Sequence, residues 1–516
     1  MTFDRASGIL LHPTSLPGRY GIGDLGVEAY QFIDWLAAAG QRLWQILPLG
    51  PTGYGDSPYQ CFSAFAGNPM LISPDYLARQ DLLAQWDLDA MPEFPAEQVD
   101  FGPVIEAKTA LLRQAFENFK QAGLSDAFRE FQHAESDWVA DYALFMAIKG
   151  AHGGESWVSW PAEIALREPA ALDEWREKLA DDVLFQTFLQ WAFYSQWADL
   201  KAYANGKGIK IIGDVPIFVA HDSADVWANR ELFLLDEGGN PIDIAGVPPD
   251  YFSATGQRWG NPLYRWDELE RDGFAWWRER IVATLRTVDI VRLDHFRGFA
   301  GYWAVPSSEE TAINGAWRRG PGAKLFNALR AELGALPIIA EDLGVITPDV
   351  EALRDGFEMP GMRILQFAFT SRASKSSFLP HNYVPNTVAY SGSHDNDTSR
   401  GWYNAASEEE RHLARRYLNS SDERIVWDMI RALQASVADT VVIPLQDALN
   451  LDSGARMNMP GRLGGNWAWR VRAADLTAEL AGALYELAET YARLDLPVAP
   501  DAVDPNAPPY FDLSEE

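Results

Sequence analysis

The chain has 516 residues, with 43 Lys+Arg against 73 Asp+Glu for a formal net charge of −30, and a single cysteine, Cys61. So acidic a balance argues against a polyanionic partner such as nucleic acid, whose phosphates the summed field would repel, and one cysteine excludes an internal disulfide or a multi-cysteine metal site. The opening MTFDRASGIL has no basic stretch leading into an apolar one, and no apolar run approaches the ~18 residues of a membrane span, so the expected location is the cytoplasm.

In chain order, the first predicted strand is GILLH at 8–12. GIGDLG at 21–26 formally matches a dinucleotide fingerprint, but SLPGRY before it is not a strand and QRLWQI at 41–46 lacks the expected acid. It reads instead as a turn into the helix DLGVEAYQFIDWLAAAG, with Asp24 as candidate N-cap. RLWQIL at 42–47 is the second strand, and SPYQCFSAFAGNP after it is expected to hold Cys61 as a buried, inert thiol.

About 160 residues separate strands two and three, too many for one loop, and 104–120 and 137–149 carry helical periodicity. Residues of about 48–208 are therefore expected to form an inserted, mainly helical subdomain, its last helix stopped at Gly206 and Gly208. IKIIG at 209–213 is the third strand. HDSAD, with His221, Asp222 and Asp225, reads as ordinary loop polarity rather than a metal site. A second insertion, about 215–288, includes GVPPDYFSATGQRWGNP at 246–262, a Gly-, Pro- and aromatic-rich candidate lid.

Five more strands follow: VDIVRL at 288–293, LPIIA at 336–340, MRILQF at 362–367, TVAYS at 387–391 and ADTVVI at 438–443. Continuous apolar character marks strands covered on both faces. Eight such strands alternating with helices predict an α/β fold, a (β/α)8 TIM barrel with large insertions, with a doubly wound open sheet as the alternative. The whole of 1–516 is expected to be a single catalytic unit. Most of the 20 tryptophans are expected to be structural, a minority lining a site, and the proline- and acid-rich tail is expected to lie over the surface or fray.

Three of these runs end on acids: Asp294 in RLDHFRG, Glu341 in AEDLG and Asp395 in SGSHDNDT, while Asp214 ends the third strand. A parallel barrel gathers its strand ends on one face, where catalytic groups are found. One strand-end acid is commonly a cap or a surface residue. Three, with Arg292 and His394 beside them, point to glycosidic-bond chemistry. A cation at Arg292 favours the charged form of a neighbouring carboxyl, which suits Asp294 as a nucleophile. The apolar PIIA before Glu341 favours its protonated form, which suits a general acid. His394 and Asp395 are suited to hydrogen-bonding vicinal sugar hydroxyls.

At these residues the chain resembles the 4-α-glucanotransferases (amylomaltases or disproportionating enzymes, glycoside hydrolase family 77). LLHPTSLPGRYGIGDLG, LPLGPTGYGDSPYQCFSAFAGNP, GQRWGNPLYRW and PGRLGGNWAWR carry the resemblance over essentially the whole chain. It implies Asp294 as nucleophile, Glu341 as general acid/base and Asp395 as the acid that stabilises the transition state. It further implies sugar contacts from Ser57, Tyr59, Asp214, Arg292 and His394, with Trp259 in a loop over the cleft and Asn466 in a second loop facing it. Leu293, Ser391 and Ser393 depart from the frequent Ile, Thr and Thr, which removes no functional group.

The implied activity moves 4-α-glucanosyl units between α-1,4-glucans, maltooligosaccharides or glucose by a retaining double displacement, with no cofactor and no metal. The two principal carboxyls are then expected about 5–5.5 Å apart. An α-1,4-glucan hydrolase of the same fold is the alternative enzyme, and a non-catalytic glucan-binding protein the alternative of another class.

Overall fold

The computed structural model describes residues 3–249, 253–370, 374–462 and 464–495; the tail after 495 and residues 250–252 of the candidate lid lie outside them. Twelve strands occur among the described residues: β1 (Ala6–Leu10), β2 (Leu43–Gln45), β3 (Lys210–Pro216), β4 (Asp243–Val247), β5 (Gln257–Pro262), β6 (Ile290–Asp294), β7 (Gly301–Pro306), β8 (Ala316–Arg319), β9 (Ile338–Ala340), β10 (Gly361–Ile364), β11 (Thr387–Tyr390) and β12 (Thr440–Pro444).

Eight of them close a barrel in the order β1-β12-β11-β10-β9-β6-β3-β2, every pair parallel. These are the eight strands expected from the sequence, and the fold is a TIM barrel. Alternate residues fill its interior, among them Leu10, Leu43, Ile212, Ile290, Ile339, Met362, Val388, Tyr390 and Val442. The intervening ones, such as Ile211, Val291, Ile338, Ala389 and Val441, pack outward against the helices. Both faces of each strand are therefore dry, which is why the runs read as continuously apolar. At the β1–β2 seam the backbones approach so closely that a Cβ on Gly8 would lie 2.4 Å from that of Leu43, a place only glycine fits.

The stretch between β2 and β3 is helical, with Phe101–Ala122, Ser136–Ala151 and Ala180–Gly206 as its longest helices. The last ends one residue before Lys207, and Gly208 takes a left-handed φ of 77°. No helix among the described residues is long and apolar enough to cross a membrane. GIGDLG is a turn into the helix Val27–Ala38, but its N-cap is Gly26. Asp24 instead accepts the Gly26 N–H at 2.9 Å and faces the buried Lys108 at 3.5 Å. The side chain thus stays at the helix end, on the amide of the N-cap residue rather than within the first turn, and shares its charge with a cation from a distant helix.

The 246–262 segment contains strand as well as loop. β4 and β5 join β7 and β8 in a separate sheet ordered β5-β4-β7-β8, antiparallel throughout. β4 and β5 come from the connection after β3, and β7 and β8 from the one after β6, so the sheet stands over the rim where Asp294 emerges.

Candidate active site

Register builds the centre of the site. β3 and β6 pair with Asp214 opposite Arg292 and Pro216 opposite Asp294, and β6 pairs with β9 so that Leu293 lies opposite Ala340, the residue before Glu341. Asp214, Arg292, Asp294 and Glu341 are thereby delivered to one rim of the barrel. Asp395 arrives on the loop five residues past the end of β11.

Arg292 is the hub. Its Nη1 donates to Asp214 Oδ1 and Oδ2 at 2.8 and 2.6 Å and to Asp294 Oδ1 at 2.9 Å, while Nε donates to Met362 Sδ at 3.3 Å. Burial alone would lower this guanidinium's pKa, but Asp214 and Asp294 hold it well above its ordinary value. The cation expected beside Asp294 is thus in contact with it. Asp214 also accepts the Tyr59 hydroxyl at 2.8 Å, and that hydroxyl lies 3.4 Å from His394 Nδ1. Ser57 Oγ accepts the Tyr59 N–H at 3.3 Å, bracing the same turn.

Glu341 sits differently. Its Oε2 accepts the His295 N–H and its Oε1 the Leu343 N–H, both at 2.8 Å. Burial, and then the neighbouring negative charge of Asp294, push its carboxyl up to about 8 against the opposing pull of Arg292 and the two amides. A carboxyl so placed carries its proton at neutral pH, as a general acid requires.

Asp395 has the opposite bias. Desolvation by the surrounding chain would raise it, though its side chain is half exposed, yet His394 Nε2 at 3.2 Å and Asn458 Nδ2 at 2.6 Å from its carboxylate hold it down at about 2. His394 itself is buried, and its Asp395 partner keeps its pKa above the ordinary value.

Trp259, on β5, stands edge to face with the His295 ring at a centroid distance of 4.8 Å. His295 is in the left-handed region, φ 51° and ψ 49°, an uncommon conformation for a non-glycine residue. That twist turns its N–H onto Glu341 while its ring lies under Trp259. Asn466 is farther out and engaged within its own loop: Oδ1 accepts the Met459 N–H at 3.0 Å and Nδ2 donates to Arg462 O at 2.9 Å.

Sequence reasoning missed four members of this constellation. Asn458 holds the Asp395 carboxylate, and Arg456 Nη2 donates to its carbonyl at 2.7 Å. Trp467 packs with Tyr59 and His394 at centroid distances of 5.9 and 6.1 Å. His295 links Trp259 to Glu341. Its place between Asp294 and Phe296 in RLDHFRG was the one available signal.

Other residues singled out in the sequence lie apart from the site. His221 Nε2 contacts Gly239 O at 2.8 Å, Asp222 pairs with Lys149 at 2.6 Å and Asp225 accepts the Ala64 N–H at 2.8 Å. Cys61 is half-buried, its Sγ donating to Pro58 O at 2.9 Å, with burial pushing the thiol up to about 12. So high a pKa leaves little thiolate at neutral pH.

Known proteins share this architecture. Residues 11–477 match the family model described as 4-alpha-glucanotransferase. The 4-alpha-glucanotransferases of Synechocystis sp. and Thermus thermophilus are 54% and 52% identical over 496 and 505 residues, spanning 95% and 96% of this chain and 98% and 100% of theirs. An amylomaltase from Streptococcus agalactiae, solved in complex with acarbose, is similar at a TM-score of 0.92 with 42% identity, covering 95% of this chain and 100% of that one. The chain belongs to the 4-alpha-glucanotransferase family.

Proposed function

We propose that this enzyme transfers 4-α-glucanosyl segments from one α-1,4-glucan to the 4-hydroxyl of a second glucan or of glucose, through a covalent glycosyl-enzyme. Asp294 attacks the anomeric carbon while Glu341 protonates the departing glycosidic oxygen. The leaving sugar departs, and an acceptor hydroxyl enters in its place. Glu341, now ionised, takes the proton of that hydroxyl as its oxygen attacks the anomeric carbon and releases Asp294. Two inversions leave the configuration retained.

The observation that carries this reading is the pair of contrasted carboxyls at one rim, Asp294 in contact with a cation and Glu341 half-buried and pushed up to about 8. Opposite environments for two neighbouring acids are what separates a nucleophile from an acid. Asp395, held ionised by His394 and Asn458, is suited to sugar hydroxyls as the ring flattens toward an oxocarbenium ion. Asp214, Arg292, His394, Ser57 and Tyr59 are assigned to the sugar beside the cleaved bond, Trp259 to the cover over it and Asn466 to the facing loop. The reading invokes neither metal nor organic cofactor and keeps the cytoplasmic setting expected from the sequence.

Pure maltotriose tests it. Longer maltooligosaccharides and glucose should appear while reducing ends stay nearly constant, since each bond broken is remade. Reducing ends that rise in step with substrate loss would mean that water is the acceptor and the enzyme a hydrolase of the same fold.

A further inference from the structure

The sheet that carries Trp259 ends at β8, whose four residues are all exposed. In it, Trp317 leaves 47% of its surface open. Isolated exposed apolar residues are ordinary, but this indole is held in place. Trp303, its register partner on β7, meets it edge to face with centroids 5.3 Å apart. The guanidinium carbon of Arg297 lies 4.0 Å from its centroid. Trp303 is pinned in turn by a 2.8 Å bond from Nε1 to Ala312 O.

Arg297 ties this ring to the catalytic rim. It follows Asp294 by three residues, and its Nη1 donates to the carbonyl of Val345, in the loop that begins at Glu341. Val345 is itself exposed. These contacts put the indole beside the loop that follows Glu341, the side on which the transferase reading has a leaving sugar depart and an acceptor enter. A neutral ligand suits the place, since an indole face stacks on the C–H face of a sugar ring without needing charge. A ring already fixed by its neighbours also loses little freedom on binding.

We propose that Trp317, held by Arg297 and Trp303, is a distal platform for the acceptor glucan, stacking on a glucose unit beyond those next to the cleaved bond. The assignment rests on the transferase reading above. It makes chain length, rather than the chemistry of the reacting ends, the property Trp317 senses. Short acceptors finish before they reach it.

The test compares Trp317→Leu, which keeps apolar bulk but loses the stacking face, and Trp317→Phe, which keeps a face, with the parent enzyme. Acceptor KM is measured for glucose and for maltoheptaose with one common donor, alongside maltotriose disproportionation. Trp317→Leu should raise the maltoheptaose KM roughly threefold to tenfold, the scale of one aromatic contact, with kcat, glucose KM and maltotriose turnover near parent values. Trp317→Phe should recover most of the loss. An unchanged maltoheptaose KM in Trp317→Leu overturns the platform, and so does an equal rise for glucose and maltoheptaose, which would make the residue structural or a docking point for something other than glucan. A parent enzyme inactive on maltotriose overturns the transferase reading and the platform with it, so the two failures are distinguishable.

Discussion

Glu341 is pulled two ways, and the outcome sets a pH dependence that can be worked out in sign. Burial and Asp294 favour its protonated form, while Arg292 and two backbone amides favour the ionised one; the first pair wins, at about 8. The acid step needs the proton, so transfer should fall as pH rises through about 8. Stability follows the same proton. The folded state binds it more tightly than the unfolded chain, where Glu titrates near 4.5, so folding loses stability as pH climbs from about 4.5 to about 8. Glu341→Gln abolishes that loss along with activity. Its Tm relative to the parent should therefore grow between about pH 5 and pH 8.5, and a difference constant over that window would mean the carboxyl is not raised. Asp395 offers a contrasting case, ionised over the whole working range by His394 and Asn458. If its grip tightens only in the transition state, Asp395→Asn should lower kcat by at least ~100-fold with little change in KM. Normal kcat with weakened binding would reduce it to a ground-state contact.

At the scale of elements, the candidate lid includes a sheet strand in contact with the loop that holds Glu341's partner His295. Trp259 on β5 rests on the His295 ring, and the His295 N–H rests on Glu341 Oε2. Burial lowers the His295 imidazole to about 4, so the ring under Trp259 is neutral at working pH. On the function proposed above, two roles meet in this stack: covering the glycosyl-enzyme from water and fixing the carboxyl that activates the acceptor. Removing the cover should let water compete at the second step. Trp259→Ala should lower the transfer rate and raise the number of free reducing ends per bond cleaved. Transfer and hydrolysis that fall by one common factor would instead assign Trp259 to sugar binding, because a loss of binding has no reason to change how the intermediate partitions.

For the molecule as a whole, what was legible in the sequence follows the range of the interactions. The eight barrel strands were visible because each is dry on both faces, and three acids stood out because apolar runs end on them. β5 and β8 were not visible: QRWG in β5 and all of AWRR in β8 lie at or near the surface, so neither shows a buried strand's pattern. Asn458 and Trp467 were missed because their partners, Asp395 and Tyr59, are brought to them only by the closed barrel. Arg493 belongs with them, and it suggests how the closure is secured. This fully buried side chain donates to Ala6 O on β1 at 3.2 Å, Asp439 O just before β12 at 3.1 Å and Gln434 O at 2.9 Å, with further bonds to Leu433, Ser436 and Ala438 carbonyls. It thus clamps the seam where the first and last barrel strands meet, at the end of the barrel away from the acids. Arg493→Met keeps much of the volume but removes all these guanidinium bonds from a dry place, leaving Asp439 O to the Ala6 N–H, Leu433 O to Ser436, and Gln434 O and Ala438 O to Arg5, a loss of about 3 kcal/mol. Denaturant unfolding should show that drop, while kcat of the folded fraction stays near the parent value because no catalytic group touches the seam. Lys would not rescue it, since one ammonium cannot reproduce a planar fork of five donors. An Arg493→Met protein as stable as the parent would mean that strand pairing alone closes the barrel.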